Sequence, residues 1–190
     1  MKKLGCFLVF AVMLTSAQAF ASGDVTIYGG WQRQGKLTLQ TATSSVASSV
    51  PNVFTFDPKN FGTFGARFGI GNKVAGTEST FGYSPNFISS DAHAIILNQN
   101  LNVQIPTPVV KPYGTVGLGT IITKVKSDCT TPICLVSDIG ARFAINYGGG
   151  VKVMAGPIGA RLDVRGYAIP AIQSQTLNLI EVSLGVVFGF

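Results

Sequence analysis

The chain has 190 residues, 46% of them hydrophobic and only 12% charged, with 23 glycines and a formal net charge of +6. Soluble domains carry charge on roughly a quarter of their residues, so this composition points away from an ordinary soluble globule. The basic residues are too few and too scattered for a nucleic-acid surface.

The N-terminus reads as a secretory signal peptide over residues 1–21. Lys2 and Lys3 form a basic start, Leu4 to Leu14 an apolar run, and Ala17-Gln-Ala19 or Ala19-Phe-Ala21 a small-x-small cleavage site. The run is about half the roughly 20 residues that a spanning helix needs, and no later segment approaches that length. Residues 22–190 then form a single domain of milder charge, because Lys2 and Lys3 leave with the signal. A secreted, glycine-rich, helix-poor chain is either a soluble β-protein or a membrane β-barrel.

Alternation with a period of two predicts eight strands, near 24–36, 60–71, 74–85, 92–105, 112–124, 139–154, 157–168 and 177–190. In the second, Phe64, Ala66, Phe68 and Ile70 share one face and Thr63, Gly65, Arg67 and Gly69 the other. In the seventh, Ile158, Ala160, Leu162 and Val164 oppose Gly159, Arg161, Asp163 and Arg165. In the last, Ile180, Val182, Leu184, Val186, Phe188 and Phe190 oppose Glu181, Ser183, Gly185 and Gly189. Such an apolar face packs on a second sheet in a sandwich and on lipid in a barrel. Glycines on the polar parity, at 65, 69, 148, 150, 159, 185 and 189, suit a narrow lumen that must make room for long side chains. Aromatics on the apolar parity, among them Trp31, Phe64, Phe81, Tyr83, Phe143 and Tyr147, suit the girdles at membrane interfaces. The expected fold is all-β, an eight-stranded antiparallel up-and-down transmembrane barrel.

With both termini on the inner side, the connections 37–59, 86–91, 125–138 and 169–176 face outward, and 72–73, 106–111 and 155–156 face inward. The first outer connection contains an uncharged Ser/Thr-rich stretch, residues 41–52, which reads as a solvated loop. The third holds Cys129 and Cys134, an even pair in an oxidising compartment, for which a local disulfide is expected. No third ligand stands near them and the spacing is not Cys-x-x-Cys, so neither a metal site nor a redox pair is implied.

The inward parity collects Arg67, Glu78, Arg142, Lys152, Arg161, Asp163, Arg165 and Glu181, together with Asn98, Asn100, Asn102 and Gln104. Eight strands enclose a space that side chains fill, and charges buried there must pair. The set reads as a salt-bridged plug; a polar conduit gated by rearranging pairs is the competing reading. For catalysis, His93 is the sole histidine. Ile95 rather than a serine shares its local face, with Ser84 or Glu78 left as possible cross-strand partners. The glycine clusters lie within strand patterns with no following helix, so they are not phosphate loops, and no cofactor or metal is implied.

The signal peptide, the eight alternating strands, the Arg/Glu-rich lumen and the closing Leu184-Gly-Val-Val-Phe-Gly-Phe190 resemble the small outer-membrane β-barrel superfamily of Gram-negative bacteria. That group includes the membrane domain of OmpA and the OmpX and OmpW proteins. The resemblance implies residence in the outer membrane, contact with its lipid and lipopolysaccharide, and recognition of Phe188 and Phe190 by the barrel assembly machinery. It further implies a monomer without enzymatic activity, in a structural or surface-interaction role, with a narrow channel for ions or small solutes as the alternative. A lipid-modifying hydrolase fits less well. Lipid A deacylases of this fold carry a serine two residues after the histidine, and the palmitoyl transferases an aspartate-serine pair, whereas here stand Ile95 and the reversed Ser90-Asp91.

Overall fold

The computed structural model describes residues 22–35, 37–41, 52–56, 60–87, 92–125, 140–172 and 175–190. They form ten strands: β1 (Ser22–Gln34), β2 (Leu37–Thr41), β3 (Asn52–Phe56), β4 (Asn60–Gly71), β5 (Ala75–Pro85), β6 (Ala92–Gln104), β7 (Val110–Val125), β8 (Ala141–Ala155), β9 (Ile158–Ile172) and β10 (Gln175–Gly189). Eight of them close into an antiparallel barrel in the order β1-β10-β9-β8-β7-β6-β5-β4, while β2 and β3 pair with each other as a separate two-stranded sheet. β1 pairs with β4 from Ser22↔Gly71 to Arg33↔Asn60 and with β10 from Asp24↔Gly189 to Gln34↔Leu179. Closure leaves the barrel no free edge for another chain to pair with.

Most strand bounds shift by up to about two residues, and two departures from expectation have reasons visible in the chain. The alternation that predicts the seventh barrel strand fades before Pro170, which cannot donate to a ladder, yet β9 runs on to Ile172. Pairing with β10 carries it there, across a register shift between Gln175 and Leu177. The first outer connection also holds more order than a plain loop, since Leu37 to Thr41 pairs with Asn52 to Phe56. The signal peptide, the central part of that connection, and Cys129 and Cys134 with the proposed disulfide all lie outside the described residues.

Three short links and both described termini share one end, here the turn end; the opposite end is the loop end. In the β4–β5 link, the Asn72 side-chain oxygen accepts from the backbone N–H groups of Val74 at 2.8 Å and Ala75 at 2.7 Å. The β8–β9 link uses Gly156 at φ 67°, a left-handed conformation that residues with a Cβ adopt only under backbone strain. At the same end the barrel seam is fastened by a reciprocal pair, Gly23 N–H to Phe190 O at 2.8 Å and Phe190 N–H to Gly23 O at 2.9 Å.

The alternation is realised around the whole wall. Outward residues such as Trp31 (71% exposed), Leu184 (61%) and Leu118 (55%) are open, whereas inward Thr26, Gln32, Arg67, Glu78 and Asn146 are fully buried. Soluble proteins seldom expose apolar patches beyond a few hundred Å², and here the apolar surface encircles the molecule. Among the described residues no helix is long and apolar enough to cross a membrane; the strands themselves supply the spanning surface.

Candidate functional site

The interior is stratified along the barrel axis. At mid-height six ionisable side chains, each no more than 1% exposed, meet in one network. Arg67 on β4 binds Asp163 on β9 through Nη1 at 2.5 Å and Glu181 on β10 through Nη2 at 2.7 Å. Arg161 binds Glu78 on β5 at 2.5 Å and, through Nε, Asp163 at 2.8 Å. Arg165 reaches the second oxygen of Glu78 at 2.6 Å and Asp163 at 3.4 Å. In the order of the closed wall, β5 stands four strands from β9 in either direction. The two bonds to Glu78 therefore cross the full width of the lumen.

Polar neighbours complete the network. Gln32 donates to Glu181 at 2.7 Å, Arg67 donates to Ser183 at 3.0 Å, and the Tyr113 hydroxyl bonds Asp163 while accepting from Arg161 Nε at 2.7 Å. The Arg67 guanidinium lies 3.8 Å from the centre of the Tyr28 ring, a cation–π arrangement that adds attraction without another acceptor. Three arginines face three carboxylates, so the network is neutral as a unit. Pairing of this density is what makes charges tolerable out of water.

Toward the turn end stands a separate pair, Lys152 Nζ to Asp24 Oδ2 at 2.5 Å, joining β8 to β1. It lies on a polar vestibule of about 330 Å³ whose lining includes Asn102, Gln104, Lys111 and Phe190. Toward the loop end most inward positions turn apolar, with Gln34 and Thr123 as buried polar exceptions. Phe61, Phe87, Ala94, Ile96, Ile121, Ala144, Tyr167, Ile169, Leu177 and Leu179 form one buried cluster, with the Phe61 and Phe87 rings edge to face at 5.1 Å.

Of the eight charges expected in the lumen, the structure brings together Arg67, Glu78, Arg161, Asp163, Arg165 and Glu181, and places Lys152 in the neighbouring pair. Arg142 departs from the expectation. It holds the inward parity but lies near the first residues of β8 at the loop end, where the wall gives out and the side chain is exposed. Asn98 and Asn100 face inward, and glycines make room for them: a Cβ at Gly119 or Gly117 would run into their side-chain oxygens. The lumen glycines thus accommodate amides and tyrosines more than arginines. Gly150 gives space to the Tyr113 hydroxyl and Gly82 to that of Tyr28.

Sequence reasoning missed Asp24, whose strand begins only two residues earlier, and the apolar layer. The latter was signalled by Ala94 and Ile96, which share parity with Asn98, and by Leu177 and Leu179, which share it with Glu181. His93 sits on the outward parity of β6, opposite Lys124 and with its ring 6.0 Å from that of Tyr83. Ser84 and Glu78 are buried on the inner side of the wall, where Ser84 donates to Gln32 at 3.3 Å. Neither partnership considered for His93 forms, and no group of metal-ligating side chains occurs among the described residues.

Residues 7–190 match the family described as "Outer membrane protein beta-barrel domain". The chain belongs to this family. It is a protein of the bacterial outer membrane, and the exposed apolar wall is its lipid-facing surface. Among solved structures, this outer-membrane barrel is similar to the N-terminal β-barrel domain of Pseudomonas aeruginosa OprF, with a TM-score of 0.57 and 16% identity over 89% of this chain and 97% of that one. Neisserial surface protein A (NspA) is also similar, with a TM-score of 0.61 and 13% identity over 89% of this chain and 97% of that one. At such identities the likeness is one of fold. No curated protein matches the sequence.

Proposed function

We propose that this outer-membrane barrel is a sealed, non-enzymatic scaffold that stiffens the membrane and presents its loop-end segments at the cell surface. The observation that carries the reading is the neutral six-residue network spanning the lumen. It leaves no net charge to select an ion, and the apolar cluster above it would exclude water from the outer lumen. The displacement of Ser84 and Glu78 from His93 supports the absence of a histidine-based hydrolase. By the general rule that short turns of bacterial barrels face the periplasm, the loop end faces outward. Arg33 and Lys124, exposed on the outward parity near that end, suit the phosphates of lipopolysaccharide. Phe188 and Phe190 at the seam suit recognition by the barrel assembly machinery.

The alternative of a narrow solute channel draws on the vestibule, which opens the turn end of the lumen to solvent. The scaffold reading is tested in cells lacking the protein, complemented either with the full chain or with a barrel in which residues 37–59 are replaced by a short turn. Restored envelope integrity from both, with surface binding only from the full chain, supports the proposal. A trimmed barrel that restores surface binding as well as the full chain removes the surface role.

A further inference from the structure

The lipid-facing wall is not uniformly apolar. Away from the strand ends, the outward positions of β1, β4, β8, β9 and β10 hold only aliphatic and aromatic residues, glycine and alanine. The outward positions of β5, β6 and β7 instead include Thr77, Ser79, Gln99 and Thr120. Ser79 and Gln99 are register partners, and the Ser79 hydroxyl donates to Gln99 Oε1 at 2.6 Å. Apolar residues surround the pair. Leu97 and Leu101 flank Gln99 along β6, Leu118 lies across from it on β7, and Phe68 lies across from Ser79 on β4.

Gln99 sits mid-strand, with Ile95 and Leu97 toward one end and Leu101 and Val103 toward the other, which places its carboxamide in the hydrocarbon layer. Hydrocarbon offers neither donors nor acceptors, so polar groups there are satisfied by protein or remain costly. Ser79 occupies one acceptor position of Oε1; a second lone pair remains, and Nε2 has two N–H groups that make no hydrogen bond among the described residues. The unmet need is therefore for an acceptor and a donor together, at fixed spacing, on a flat apolar wall. A second carboxamide supplies both.

We propose that the β5–β7 wall is a self-association surface, on which Gln99 of one barrel pairs with Gln99 of a second copy across a twofold axis. Nε2 of each copy donates to Oε1 of the other, and the Ser79 hydroxyl holds each amide in orientation. Such an isologous contact is self-complementary by construction, and hydrogen bonds between spanning segments act as glue where hydrophobic burial gives no driving force. The barrel is then a dimer in lipid, not the monomer expected from sequence.

The test is energy transfer between donor- and acceptor-labelled full-length barrels in phospholipid vesicles, over a range of protein-to-lipid ratios. Heat-modifiable gel mobility serves as the check that each variant is folded. The wild type is expected to dimerise, and Gln99→Leu, which places an aliphatic residue toward lipid, is expected to fold and to associate roughly tenfold more weakly or worse. Ser79→Ala should weaken association less while leaving folding intact. A wild type that stays monomeric throughout the range, or a Gln99→Leu barrel that dimerises as well as the wild type, overturns the proposal. A monomer that co-purifies with a lipid lost in Gln99→Leu also overturns it, and assigns the polar stripe to a hydroxylated lipid.

Discussion

Glu78 accepts from two arginines that come from the opposite wall of the barrel, with one carboxylate oxygen for each. Its removal takes a carboxylate from two buried cations at once and leaves both to share Asp163. Glu78→Ala is therefore expected to destabilise the folded barrel by about 3–5 kcal/mol, the range seen when one partner of a buried pair is deleted. Reversible urea unfolding in vesicles measures this, with the single Trp31 as the fluorescent reporter. Arg142→Ala, at an exposed position, should shift the same transition by less than about 1 kcal/mol; an equal loss for the two variants would contradict the division between lumen and rim. Gly150→Val probes the packing around the network. A Cβ there would run into the Leu162 carbonyl oxygen of β9 and lie 2.6 Å from the Tyr113 hydroxyl, so both the β8–β9 backbone and the Tyr113 bonds to Asp163 and Arg161 must shift, at a cost of about 1–3 kcal/mol or more typical of overpacking.

Strands were legible in this chain wherever both parities were distinct. In β4 from Thr63 to Ile70, β9 from Ile158 to Arg165 and β10 from Ile180 to Val186, every second residue is apolar and the intervening ones are Gly, Ser, Thr or charged, so the face toward lipid and the face toward the lumen could be read residue by residue. Legibility failed where one parity lost its contrast. The inward positions of β6 pass from Asn100 and Asn98 to Ile96, Ala94 and Ala92, and this run of apolar residues on both faces concealed the loop-end plug. Pairing across strands is likewise absent from local pattern. Nothing near Asp24 indicates Lys152, which lies three strands around the wall. At the seam, an added Cβ on Gly23 would come within 2.5 Å of the Phe190 ring. Gly23→Val should displace that ring, weaken the closing β1–β10 pair and lower the temperature at which the compact gel band is lost. An unchanged transition would show that the seam does not depend on this close contact.

Across the whole molecule, eight strands without a free edge give the closed wall, and the inward side chains decide whether that wall encloses a pore. The network and the apolar plug lie in series along the axis, so each should seal the lumen alone. Glu78→Ala is expected to be less stable and still non-conducting, because Phe61, Ile96, Ile121 and Leu179 remain packed toward the loop end. The most direct test of a sealed lumen is planar-bilayer recording of the wild-type barrel, with heat-modifiability confirming that the inserted protein is folded. A silent bilayer, with no discrete steps above the lipid background, is the predicted result; unitary conductance steps from the folded wild-type protein would contradict it and make the vestibule the mouth of a channel.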